Sequence, residues 1–262
     1  MDIDLQAVEV TKLSLLLKVL EGETDQSLSL SQLAFGDRAL PNLADNIKCG
    51  NSLIGSDYFT GKLIVDHREI KDVNPFDWGQ GFPEAMKAGG FDSVIGNPPY
   101  LFITEVPECD RTYYQDKYKS VTYRFDLYGV FVEKALTRLL RRKGVLGFII
   151  PHTLLSNDSF QTLRSLLATN TRIYNVVDLG PGVFKDAKNE TMLLSFENSA
   201  PSTASKTEVT CTTPEDFFKR EQKFIASQRK WAMSNGEAWL VRASSGSSAV
   251  LVDRFQNKIA IP

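Results

Sequence analysis

DLYGVFVEKALTRLLRRKGVLGFIIP, residues 126–151, sets the fold class. From Asp126 to Arg142 apolar side chains recur at helical spacing, so this part reads as a helix. Gly144 then breaks it, and Val145-Leu146-Gly147-Phe148-Ile149-Ile150 is a short apolar run stopped by Pro151, a buried strand. Working outward, the pattern repeats. A helix over Ser159 to Ala168 leads into a strand over Arg172 to Asp178, and after the Gly-Pro-Gly turn at 180–182 comes another strand, Thr191 to Phe196. Upstream, Phe91 to Ile95 reads as a buried strand. Strands alternating with amphipathic helices imply an α/β fold with a mainly parallel sheet covered on both faces. Ligands of such sheets sit beyond the carboxyl ends of the strands.

The remaining segments are less regular. Residues 5–20, LQAVEVTKLSLLLKVL, place Val8, Leu13, Leu16, Leu17 and Leu20 at helical spacing, with Gly22 available as a stop. Met1 to Asp4 looks like the last residues of a strand. Ile47 to Ile54 and Lys62 to Asp66 read as short strands, and 74–90 and 101–124 as loops, the second long enough to suggest a functional role. Residues 199–206 turn to Ser, Ala, Thr and Pro, the composition of a linker, and the rest reads as helical connecting material without a core of its own. No internal repeat is present.

Bulk composition narrows the function by exclusion. The 262 residues are 42% hydrophobic and 24% charged, enough for one large core or two modest ones. Thirty Lys plus Arg stand against 32 Asp plus Glu, so any nucleic-acid contact must be a local basic surface. Neither a signal peptide nor a run of about 18 apolar residues is found, and the expected location is cytoplasmic. Cys49, Cys109 and Cys211 are widely spaced, and only His67 and His152 accompany them, so neither a disulfide scaffold nor a metal site is expected.

Chemistry concentrates at Gly96-Asn97-Pro98-Pro99-Tyr100, directly after the strand at 91–95. The bland reading is a stiff turn, because proline fixes φ and keeps the residue before it out of the helical region. At the ligand edge of a sheet the same turn presents a fixed amide, a fixed carbonyl and an aromatic face. That set suits a flat substrate with an exocyclic amine. The Asn97 side-chain oxygen and the Pro98 carbonyl can accept the two N–H protons of such an amine and aim its lone pair at a methyl donor. Tyr100 would stack on the ring, a contact worth roughly 1–3 kcal/mol per base, once the base has left its duplex.

With these residues in view, the chain resembles the adenine-N6-specific DNA methyltransferases that use S-adenosylmethionine, in particular the gamma class of type IIG restriction-modification and phage-defence enzymes. Five stretches carry the resemblance, over residues 1 to about 197. They are DID at 2–4, LPNLADNIKCGNSLIG at 40–55, FDSVIGNPPY at 91–100, the helix and strand at 125–155, and VVDLGPGVFKDAKNETMLLSF at 176–196. The resemblance implies a Rossmann-like methyltransferase fold. It implies a catalytic turn at Asn97, Pro98, Pro99 and Tyr100, with Phe184 as the second ring that stacks on the flipped adenine. Cofactor contacts would come from Asp2, Asn51, Ser52 and Asn97, although Asn51 and Ser52 also read simply as a tight turn. Lys185 and Lys188 are candidate phosphate contacts, Arg141, Arg142 and Lys143 a solvated helix end, and His152 a cap or packing residue. The partners expected are double-stranded DNA and either the missing N-terminal part or a specificity or nuclease module.

One departure bears on organisation. The Gly-rich turn that such enzymes carry upstream of the residue matched by Asp2 has no counterpart here. The expectation is a partial catalytic domain over 1–198, incomplete at its N-terminus, with 199–262 leading toward a target-recognition domain. In the family the first strand is central, so its loss would leave the second and fourth strands without a partner between them. Other readings remain open: a fragment that binds DNA or a partner chain without turnover, an NPPY methyltransferase acting on protein glutamine or ribosomal-RNA guanine, and cytosine-N4 methylation, although that group usually has Ser at the place of Asn97.

Overall fold

The computed structural model describes residues 1–21, 42–62, 64–122, 124–184, 190–217 and 222–239. Two compact units divide the chain, Met1–Lys87 and Ala88–Pro262. In the first, the predicted helix is α1 (Leu5–Leu20), started by Asp4, whose side chain accepts the Gln6 N–H. Among the described side chains of its apolar stripe only Val8 is buried, while Leu13 and Leu17 are more than half exposed. The strands expected at 1–4 and 47–54 are single bridges, Asp2 with Cys49 and Asn51 with Pro75. No strand forms over the described residues of 62–66. Two features were missed. α2 (His67–Val73) starts where the Asp66 side chain accepts the Arg68 N–H, and the predicted loop at 74–90 contains α3 (Trp78–Gly81) and α4 (Pro83–Lys87). Asp66 and Asp77 each satisfy an otherwise orphaned N–H, which lets such short helices begin.

The second unit is built on a six-stranded sheet. Its strands are β1 (Phe91–Gly96), β2 (Leu140–Pro151), β3 (Arg172–Gly180), β4 (Thr191–Glu197), β5 (Lys206–Cys211) and β6 (Gln222–Ser227), in the spatial order β1-β2-β4-β3-β5-β6. The pairs β1–β2 and β3–β5 are parallel; β4 runs antiparallel to β2 and β3, and β6 antiparallel to β5. Helices α5 (Glu108–Lys117), α6 (Leu127–Lys134), α7 (Gln161–Asn170) and α8 (Gln228–Met233) complete the expected α/β architecture. Leu146, Phe148 and Ile150 of β2, Ile173 and Val176 of β3, and Leu194 and Phe196 of β4 make the core with Val132, Leu163 and Leu167. At about 25 cal/mol per Å² of apolar surface removed from water, burial of this kind is the main force holding the sheet to its helices.

Several readings change. The predicted helix at 126–142 ends early: after α6 comes one π turn, Ala135–Leu139, and the chain passes directly into β2. Arg141, Arg142 and Lys143 therefore lie in a strand, with Arg141 paired to Asp92, and not at a helix end. Gly144 sits within β2. A side chain there would lie 2.8 Å from the Phe91 carbonyl oxygen, so glycine permits the close approach of β1 and β2. The loop at 101–124 contains α5. Finally, the stretch after 205, read as connecting material, supplies β5, β6 and α8, and its Trp231 and Trp239 stack 4.6 Å apart within the core. As for β1, it is an edge strand with Ile95 90% exposed, not a buried one.

Candidate active site

β1 and β2 run in parallel, and β1 ends with Gly96 paired to Phe148. Beyond that point the chain turns a corner. Asn97 is exposed, Pro98 buried, Pro99 exposed and Tyr100 half-buried. The buried Pro98 fixes the turn from behind while the Asn97 amide faces outward, a donor and an acceptor presented by a backbone with little freedom of its own. After Tyr100 the chain is tied to the start of α6. Leu127 N–H donates to the Leu101 carbonyl at 2.8 Å, and Ile103 N–H to the Phe125 carbonyl at 3.1 Å.

The Tyr100 ring touches two others edge-on. Its centroid is 6.4 Å from that of Tyr128 and 6.4 Å from that of Phe184, at interplanar angles of 77° and 71°. The Tyr100 hydroxyl is buried and has no hydrogen-bond partner among the described residues, and burial pushes its pKa up to about 12. Tyr128 differs. It is fully buried, its hydroxyl lies 2.9 Å from Thr153 Oγ1, and its ring packs on Phe160 at 4.9 Å. Asp126, at the start of α6, has its carboxyl pKa raised by burial and by the nearby Glu105. Of the predicted residues in this unit, the structure thus brings Tyr100 and Phe184 together at the mouth of the sheet. Lys185 and Lys188 lie outside the described residues. His152 extends the β2–β4 ladder by donating its N–H to the Glu190 carbonyl, and its Nδ1 is 3.0 Å from Glu190 Oε2, a packing and capping role as expected.

In the first unit, Asp2 and Asn51 sit near one another, since Asp2 is bridged to Cys49 and Gly50 N–H donates to the Asp2 carbonyl at 2.8 Å. The Asp2 side chain is exposed, with Oδ1 accepting the Asp4 N–H. An exposed carboxylate of this kind is chemically suited to the vicinal hydroxyls of a ribose. Asn51 Oδ1 is engaged by the N–H groups of Leu53 and Ile54, so the tight-turn reading holds for its oxygen and only its amide N–H groups remain for a ligand. The Ser52 carbonyl accepts the Trp78 indole N–H. The donor set fits a nucleoside cofactor through Asp2, and through Asn51 as a donor only.

Sequence reasoning missed Tyr128 and Thr153 as parts of the site. No local signal marks them, because they are 25 residues apart and meet only in the folded sheet. Among the described residues no cluster of three His, Cys, Asp or Glu could hold a metal, and no helix is long and apolar enough to cross a membrane.

Comparison with known proteins agrees in kind. The family model described as "Eco57I restriction-modification methylase" matches residues 1–184. Among curated proteins the chain is 31% identical over 248 residues to the type II restriction enzyme and methyltransferase RM.Eco57I of Escherichia coli, covering 92% of this chain and 22% of that protein. It is 36% identical over 172 residues to the type II methyltransferase M.TthHB8I of Thermus thermophilus, covering 59% and 39%. The chain thus spans less than two-fifths of either relative. Among solved structures, the ATP-dependent type ISP restriction-modification enzyme LlaBIII bound to DNA matches with a TM-score of 0.49 and 12% identity, over 85% of this chain and 17% of that one.

Proposed function

This chain belongs to the Eco57I restriction-modification methylase family, and we propose that it moves a methyl group from S-adenosylmethionine to N6 of an adenine flipped out of double-stranded DNA. It would act as the catalytic part of a restriction-modification or phage-defence enzyme, alongside a specificity or nuclease module, in the cytoplasm where DNA is accessible. The observation that carries the proposal is the corner after β1: an exposed Asn97 amide, a buried Pro98 behind it, and the Tyr100 ring beside Phe184.

The adenine N6 lone pair is delocalised into the ring and is a poor nucleophile. Asn97 Oδ1 and the Pro98 carbonyl accept the two N6 protons, raise electron density on nitrogen and fix the direction of its lone pair. Preorganised acceptors of this kind need no rearrangement at the moment of reaction. Tyr100 lies against one face of the base and Phe184 closes on the other. A flipped base also leaves its pairing partner, which frees the amine. Asp2 and the Asn51–Ser52 turn would hold S-adenosylmethionine, whose sulfonium would give up its methyl group to N6 as the C–S bond breaks and the neutral thioether S-adenosylhomocysteine leaves. The proton leaves the methylated amine to solvent, so no general base is required. On this reading the catalytic part, expected over 1–198, would extend through β6, which is supported by β5 and β6 lying in the same sheet as β1.

The test is methyl incorporation by the full-length gene product from labelled S-adenosylmethionine into unmethylated mixed-sequence DNA, followed by nucleoside analysis. N6-methyladenine is the expected product, and Asn97→Ala, at an exposed position, lowers the rate by about 10²–10³-fold. Equal incorporation by wild type and Asn97→Ala defeats the assignment. Label appearing only in protein glutamine, ribosomal RNA or cytosine redirects it, and no label at all favours a binding fragment.

A further inference from the structure

The hydroxyl of Tyr100 bonds to nothing among the described residues, so the orientation of its ring rests on packing there. Two rings touch it. Phe184 is half-buried and, on the proposed function, must give way when a base enters. Tyr128 is the fixed wall: 0% exposed, packed on Phe160, and the one of the two that carries a polar anchor. That anchor is Thr153, two residues past the end of β2. Its own backbone is held by a tight turn, with its carbonyl accepting the Ser156 N–H at 3.3 Å and the Asn157 N–H at 2.9 Å. Thr153 Oγ1 in turn lies 2.9 Å from the Tyr128 hydroxyl.

We infer that Thr153 and Tyr128 form a positioning pair for the proposed methyl transfer, in which the hydroxyl–hydroxyl bond fixes the Tyr128 ring and that ring sets the plane of Tyr100 against the target base. The inference rests on the proposed adenine-N6 activity. Neither residue touches the reacting atoms; each acts through Tyr100. The arrangement is economical in its geometry. Tyr128 presents its ring to Tyr100 while its hydroxyl reaches the exit of β2, so the platform for the base is referenced to the central part of the sheet and not to the edge strand that precedes it. A small tilt of the platform moves N6 relative to Asn97, and a misplacement of about 1 Å can cost on the order of 10²-fold in rate.

The experiment uses the full-length protein, unmethylated mixed-sequence DNA and labelled S-adenosylmethionine, with kcat, KM for DNA, cofactor affinity and the thermal midpoint measured for each variant. Thr153→Val lowers kcat about tenfold or more, leaves KM for DNA and cofactor affinity within about twofold, and Thr153→Ser restores kcat. Because Thr153→Val leaves a buried hydroxyl unpaired, it also lowers the midpoint. The Tyr128→Phe/Thr153→Val double variant removes both polar ends and recovers the midpoint, but kcat stays low. Recovery of kcat together with the midpoint, or wild-type kcat in Thr153→Val, overturns the pair as a positioning device and leaves the adenine assignment standing. Absence of N6-methyladenine from the wild-type reaction overturns the reading on which the pair rests.

Discussion

Replacing Tyr100 with phenylalanine separates what its ring does from what its hydroxyl does. The oxygen is buried and has no partner among the described residues, and a buried polar group in that state costs roughly 1–3 kcal/mol relative to a paired one. Tyr100→Phe removes the oxygen and keeps the edge contacts with Tyr128 and Phe184. The variant is therefore more stable by about 1 kcal/mol or more at neutral pH, which in a chain of this size moves the thermal midpoint by about 2–4 °C per kcal/mol. The pH dependence supplies a second signature. Burial holds the folded-state pKa at about 12, while the unfolded phenol titrates near 10.0. Below pH 10 both states are protonated and the phenol adds no pH dependence. Between about 10 and 12 the unfolded state ionises first, so wild type loses stability that the variant keeps. Tyr118 and Tyr128 also have raised values, but they are common to both proteins and cancel in the difference. Urea titrations at pH 7, 9, 10.5 and 11.5 read the gap directly. A variant less stable than wild type at pH 7, or a gap that narrows above pH 10, refutes the reasoning and shows that the hydroxyl has a partner after all.

Two further substitutions test the frame. Arg164→Met, in α7, removes a buried guanidinium whose Nε donates to the carbonyls of Gly236 and Glu237 and whose Nη1 donates to those of Leu154 and Asn157, so urea denaturation should show a loss of about 3–5 kcal/mol. Gly90→Ala introduces a Cβ 2.4 Å from the Leu139 carbonyl oxygen at a position with φ of 122°, and a drop of at least about 2 kcal/mol in calorimetry is expected, since the nearest atoms are backbone and have no room to move.

The parts of this fold that are legible in sequence are those with a strong apolar period. Val145 to Ile150, Arg172 to Asp178 and Thr191 to Phe196 bury enough side chains to announce themselves, and each is a strand. The misread parts failed for identifiable reasons. β5 (KTEVTC) and β6 (QKFIAS) are short and half polar, so composition alone made them look like connecting chain. α5 (ECDRTYYQDK) is polar nearly throughout and buries chiefly Tyr114. The end of α6 left no trace, because the π turn and the first residue of β2 continue the run of leucines without a break. At the site, the stiff corner could be read from Asn97 to Tyr100 because prolines act locally. Asn51 shows the converse: the same residue suits a turn and a ligand, and only the bonds of Oδ1 to Leu53 and Ile54 show how much of it the turn uses.

The strand that delivers Asn97 has a neighbour on one side only among the described strands, with Ile95 turned almost wholly to solvent. A strand laddered to one described neighbour has fewer bonds to hold it than one laddered on both sides, and segments with few buried contacts open before the rest of a fold. The rim that carries the chemistry is therefore an edge of the sheet and not its centre. Heat or urea can silence this molecule while the β2–β4–β3 centre still stands.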